Sequence, residues 1–200
     1  MGKIGLLLVA SAVLLAAPAA RALDPLDVLG APKTLVDRAI EARGSADIAK
    51  DNEIVIAVNK IMADLGTIKA STEIYEQRLL VTGIFDDQKM HDRFHAQVKA
   101  LKGVRKLYWH VAVMSKEEQE RSKARMIGWA DAMVLDNKAG LRLVGKRGVA
   151  DVNYRIAADA FATVYVLGRA RSKEELDQAV AALRGTEGMK KLVNYVEARP

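Results

Sequence analysis

An internal repeat constrains this chain more than any other feature. Val81-Thr82-Gly83 closes an apolar alternation, and Gly103 and Val111 follow Gly83 by 20 and 28 residues. Val166-Leu167-Gly168, Gly188 and Val196 repeat those spacings. A single offset of 85 residues relates the two sets. It also aligns Ala96 with Ala181, Val98 with Leu183, Arg105 with Lys190, Lys106 with Lys191 and Leu107 with Leu192. Two glycine pairs at one offset, with apolar positions in register, indicate a duplicated unit. Whatever one copy folds into, the other must fold into as well.

The first copy sets the expected order of elements. Asp51 is expected to cap a helix that places Ile54, Val58, Ile61, Met62 and Leu65 on one face, with Gly66 as its end. Residues 68–74 and 78–84 read as strands joined by a turn at Glu76-Gln77. Asp86-Asp87 opens a second helix with Met90, Phe94, Val98 and Leu101 inward, Gly103 stops it, and 104–114 alternates as a third strand. In the second copy Ser172 and Glu175 form the pattern of a capping box, with Leu176, Ala179, Val180 and Leu183 as the buried stripe. The first helix of this copy falls within 131–146, interrupted by Gly140 and Gly145. The predicted fold class is α+β: two tandem α-β-β-α-β units, each a small mixed sheet with two helices on one face. Units this small are marginal alone, so the two are expected to pack together, with the apolar end of the linker (Met126, Ile127, Trp129) as the contact.

The predicted divisions are 1–22, 23–50, 51–115, 116–130 and 131–200. The first has the order of a secretory signal peptide: Lys3, an apolar run over 4–17, and Ala20-Arg21-Ala22 as a small-x-small cleavage site. That run is short for a membrane span, which takes about 20 apolar residues. Residues 23–50 read as a leader with one short helix around Leu35, Val36, Ala39 and Ile40, and 116–130 as a charged linker. No later stretch is apolar enough to span, so a soluble mature protein of the periplasm is expected. The chain has no cysteine, which excludes disulfides, cysteine metal sites, cysteine nucleophiles and a lipoprotein anchor.

These residues resemble the BON domain family: a helix led by Asp51, a strand pair ending in Val81-Thr82-Gly83, a helix, then Gly103-Val104 and a terminal strand, with Val166-Leu167-Gly168 and Gly188-Met189 in the second copy. The resemblance covers 51–114 closely and 131–198 less closely. A signal peptide followed by two such units looks like the osmotically inducible periplasmic proteins. The resemblance implies envelope maintenance, osmotic stress as the setting, and attachment to phospholipid.

Motifs for chemistry are few. No phosphate-binding glycine loop, nucleophile elbow or dinucleotide fingerprint is present, and neither a catalytic residue nor a cofactor is expected. His91 and His95 share a helix face with Asp87 one turn before, a spacing that can hold zinc. The equivalent positions of the second copy are Leu176 and Val180, which favours two partly buried structural histidines over a metal site. His110, beside Trp109, is expected at an exposed sheet face. Gly83, Gly103, Gly168 and Gly188 are taken as structural: the strand glycines mark a bulge or a close approach under a packed helix.

Charge is unevenly spread. Residues 23–115 are neutral and residues 116–200 carry net +4. The second unit's basic clusters are three: Arg142, Lys146 and Arg147; Arg169, Arg171 and Lys173; Lys190 and Lys191. Each basic residue near an anionic bilayer contributes about 1 kcal/mol. The expected partner is therefore anionic phospholipid or the membrane surface, with a solvated basic surface as the plain alternative. A second functional reading is a stress-induced, chaperone-like or structural protein that binds envelope proteins. Nucleic acid is disfavoured by export and by the scarcity of aromatic residues for base stacking.

Overall fold

The computed structural model describes residues 41–66 and 69–200. The expected signal peptide over 1–22 and residues 23–40 of the expected leader lie outside them. Helix α1 (Ser45–Leu65) buries Ile54, Val55 and Val58 and ends at Gly66, whose φ of 71° lets its N–H turn back to the carbonyl of Ala63. Strands β1 (Ala70–Tyr75) and β2 (Arg78–Phe85) form an antiparallel hairpin. Asp87 caps α2 (Gln88–Lys99) by accepting the N–H of Met90, and β3 (Lys106–Val113) returns parallel to β2. Two connecting pieces follow, α3 (Lys116–Ser122) and a 3-10 turn at Lys123–Arg125. The second unit is α4 (Trp129–Leu141), β4 (Tyr154–Ala158), β5 (Thr163–Ala170), α5 (Lys173–Arg184) and β6 (Lys191–Ala198). The fold is α+β with two three-stranded mixed sheets, ordered β1-β2-β3 and β4-β5-β6.

Elements β2, α2 and β3 match β5, α5 and β6 residue for residue at an offset of 85. The offset falls to 84 at the first strand of each unit, since Ala70 pairs with Gly83 but Tyr154 with Gly168. The second hairpin therefore carries one more residue in its turn.

Asp51 does not cap α1. It lies within the helix at 1% exposure, and Gly44 holds the cap position. Its carboxylate instead accepts the N–H groups of Glu76 and Gln77 at 2.8 and 2.7 Å and pairs with Arg43 at 2.9 Å. Both turn residues have positive φ, 51° and 59°, and the carboxylate holds the donors that this tight turn directs inward. Glu175 behaves likewise. Ser172 does accept its N–H, but the Glu175 side chain turns away to Ala150 and Arg171, so the reciprocal half of a capping box is missing. The complete box is at Ser115 and Glu118, opening α3.

Three apolar cores result. One lies between the first sheet and α1 and α2, around Val58, Leu79, Val81, Phe94 and Val98. Another lies between the second sheet and α4 and α5, around Leu143, Val164, Val166 and Leu183. The third joins the opposite faces of the two sheets: Tyr75, Leu80, Ala157, Tyr165 and Leu167, flanked by Tyr108, Val193 and Tyr195. The sheets thus face each other with helices outside. The linker end is not the glue, because Ile127 packs into the second unit's own core. Alternation along the strands of both sheets makes the contact instead: Tyr75, Leu80, Ala157, Tyr165 and Leu167 face the other sheet, and Tyr108, Val193 and Tyr195 of β3 and β6 flank them. His110 is accordingly half-buried between the sheets and not at an exposed face. It hydrogen-bonds the Tyr195 hydroxyl at 2.7 Å and lies against Tyr165. His110 and Tyr195 are repeat-equivalent, so this bond joins the same position of the two copies.

Candidate functional site

Helix α4 buries Ala132, Leu135 and Ala139, with Leu143 just beyond its end. The residues between them face outward. Met133 and Val134 are 54% and 52% exposed, and Leu141 and Val144 are 70% and 60% exposed. Met133, Asn137, Leu141 and Val144 follow the helical spacing of three or four residues, so they share one exposed side of α4 and the turn after it, apolar except at Asn137. Four of the six large apolar side chains exposed among the described residues fall in this stretch. Scattered single exposures are ordinary, but a contiguous apolar patch marks a contact surface.

Basic residues follow directly. Arg142, Lys146 and Arg147 stand in the loop after α4 and are exposed. Arg142 leans on α5, donating from Nε to the Ala182 carbonyl at 3.2 Å. The side chains of Lys146 and Arg147 make no ion pair or hydrogen bond among the described residues. The remaining candidates sit elsewhere and are mostly engaged. Arg171 pairs with Glu175 at 2.7 Å, Lys173 with Asp177 at 3.1 Å, and Lys190 donates to the Arg125 carbonyl at 3.0 Å. Arg171 and Lys173 lie at one end of α5, Lys190 and Lys191 beyond the other. A 12-residue helix is about 18 Å long, more than two Debye lengths at physiological salt. These four residues therefore do not act as one cluster. Lys191 bears instead on His110, whose pKa is lowered by burial foremost and by Lys191 as well.

The four glycines have distinct local reasons. A Cβ at Gly83 would lie 2.5 Å from the Lys69 carbonyl oxygen, and one at Gly168 would press closer still on that of Asn153. The crowding comes from the neighbouring strand's backbone, not from a packed helix. Gly103 and Gly188 follow the second helix of each unit at φ 90° and 87°. The histidine pair is bound up internally: His91 Nε2 accepts from the Trp109 indole at 3.1 Å and its Nδ1 meets Asp92 at 3.0 Å. Among the described residues no group of three or more histidines and carboxylates is placed to hold a metal. No helix among them is long and apolar enough to cross a membrane.

A BON domain is found at residues 143–200, which comprise the loop after α4, β4, β5, α5 and β6. The match thus falls on the copy whose resemblance is the looser by motif. A protein of Anaplasma centrale described as an uncharacterized protein in the gshII 5′ region is 25% identical over 150 residues, which is 74% of this chain and 95% of that protein. Among solved structures, CdsD of Chlamydia trachomatis, a structural protein of the Type III secretion system, is similar at 11% identity and a TM-score of 0.30, over 74% of this chain and 93% of that one. The C-terminal domain of CdsD is similar at 10% identity and the same TM-score, over 74% and 98%.

Proposed function

We propose that this is an exported binding protein of the bacterial envelope that attaches to an anionic phospholipid surface through its second unit, and that it is not an enzyme. The contact is the end of α4 and the loop after it: Leu141 and Val144 enter the headgroup boundary while Lys146 and Arg147 face the lipid phosphates. The observation that carries this reading is the adjacency of two strongly exposed apolar side chains and two unengaged cations. A surface that pairs apolar insertion with basic residues binds reversibly to anionic bilayers. The BON domain at 143–200 supports the same reading, and the first unit is read as a second, BON-like copy that braces it.

Sedimentation with phosphatidylserine-containing vesicles, against pure phosphatidylcholine, tests it. Lys146→Gln with Arg147→Gln removes two charges worth about 1 kcal/mol each, so affinity falls about 30-fold. Binding also weakens as salt rises. Replacing Arg171, Lys173, Lys190 and Lys191 by Gln lowers affinity far less. Equal loss in both sets, or none in either, rejects the site.

A further inference from the structure

The side of α4 turned toward the first unit borders a groove that reaches past the proposed membrane contact. One end is a cavity of about 400 Å³ bounded by Ala70, Ser71, Trp129, Met133, Asp136 and Ala158. The other is a cavity of about 420 Å³ bounded by Glu73, Asp136, Asp151, Arg155 and Ile156. Asp136 and Asn137 line both, so the two adjoin along α4.

One wall is the outer edge of β1. This strand ends its sheet and pairs only with β2. Ile84 donates to Lys69, so hydrogen-bonded pairing recurs at Ser71–Thr82 and Glu73–Leu80. The backbone groups of Ala70, Thr72 and Ile74 therefore point away from β2, and none bonds to another element among the described residues. A free strand edge is a template for another strand. The floor is acidic. The carboxylates of Glu73 and Asp136 make no hydrogen bond or ion pair among the described residues, and Asp151 adds a third carboxylate. The opposing cation, Arg155, spends Nη1 on the carbonyls of Val152 and Tyr154.

We propose that this groove binds an extended polypeptide segment, which adds as a strand to the free edge of β1, places a basic side chain over Glu73 and Asp136, and lays apolar side chains on Trp129 and Met133. Main-chain hydrogen bonds supply affinity in such strand addition and alternate side chains supply selectivity. The groove runs into Leu141 and Val144, so a bound segment lies beside the membrane-facing loop. The inference does not depend on membrane attachment. Burial pushes Glu73 up to about 8 and Asp136 to about 6, with Arg155 opposing at Glu73 and Asp136 reinforcing. An incoming Lys or Arg ionises Glu73, so binding near pH 7 releases a proton.

The probe is a capped octapeptide of alternating Val and Lys, with alternating Val and Glu as its counterpart, added to the whole protein without lipid. Calorimetry in two buffers of different ionisation heat reads affinity and proton release, and tryptophan fluorescence in a Trp109→Phe background reports at Trp129. The Val-Lys peptide binds with proton release, and the Val-Glu peptide does not bind. Glu73→Gln with Asp136→Asn weakens binding about tenfold or more, as loss of a charge-assisted contact does. Thr72→Pro removes an outward N–H but no bond to β2, and it abolishes binding while the protein still unfolds cooperatively. Equal binding of both peptides overturns the proposal, as does full binding by Thr72→Pro. Occupancy seen only with vesicles also overturns it and assigns the groove to lipid.

Discussion

At Gly168, β5 passes so close to β4 that any side chain presses into the Asn153 carbonyl; at Gly83 the matching approach is to Lys69. Gly168→Ala is expected to destabilise the protein by about 1–3 kcal/mol and Gly83→Ala by less, as at other special backbone sites. Urea titration measures both, and parent-like midpoints contradict the close-approach account. Two titrating side chains act with opposite sign. Burial lowers the pKa of His110, so the unfolded chain binds a proton that the folded one resists. Stability is therefore lost as pH falls from about 6.5, the ordinary histidine value, and His110→Phe should flatten that slope. Burial raises Glu73 to about 8, so the folded form holds a proton that the unfolded carboxylate releases. Stability is lost as pH rises from about 4.3, the unfolded value, toward 8, and Glu73→Gln should gain stability over the parent at the alkaline end.

At the scale of elements, the second half of each unit was legible from the repeat: β2, α2 and β3 recur at the offset that Gly83, Gly103 and their partners define. In the first half, the helix α1, its end at Gly66 and the hairpin turn at Glu76-Gln77 were legible as well, but two features were not. Asp51 carries the local signature of a helix cap, and nothing nearby in sequence discloses that its acceptors serve a turn 25 residues away. Its removal is accordingly a test. Asp51→Ala strands two buried turn N–H groups and Arg43, and should cost about 3–5 kcal/mol, far beyond the cap loss of about 1 kcal/mol expected at a helix start. Helix α4 was obscured by its glycines. Leu141-Arg142-Leu143-Val144-Gly145-Lys146-Arg147 looks like a broken core helix until burial separates Leu143, at 2% exposure, from its two neighbours. Only the basic half of the candidate site was readable beforehand. The apolar half required knowing which face of α4 meets the sheet.

Across the whole molecule, the two units share one interface. Arg78 of the first unit donates to the carbonyls of Tyr195 and Gly168 in the second at 2.9 and 2.7 Å, and the rings of Tyr108 and Tyr195 stack at 3.9 Å. Calorimetry should therefore show a single unfolding transition, and two separated transitions would contradict the shared core. On the proposed reading, this shared core holds the loop after α4 as a fixed face for a bilayer. Because the chain has no cysteine, a single introduced thiol carries a unique environment-sensitive fluorophore. Labels at Val144→Cys and, on the first unit, at exposed Ile56→Cys compare the two faces on anionic vesicles. The Val144 label should shift to the blue and become inaccessible to aqueous quencher, while the Ile56 label stays in water. A Val144 label that remains fully quenchable while the protein is vesicle-bound would contradict membrane attachment through this loop.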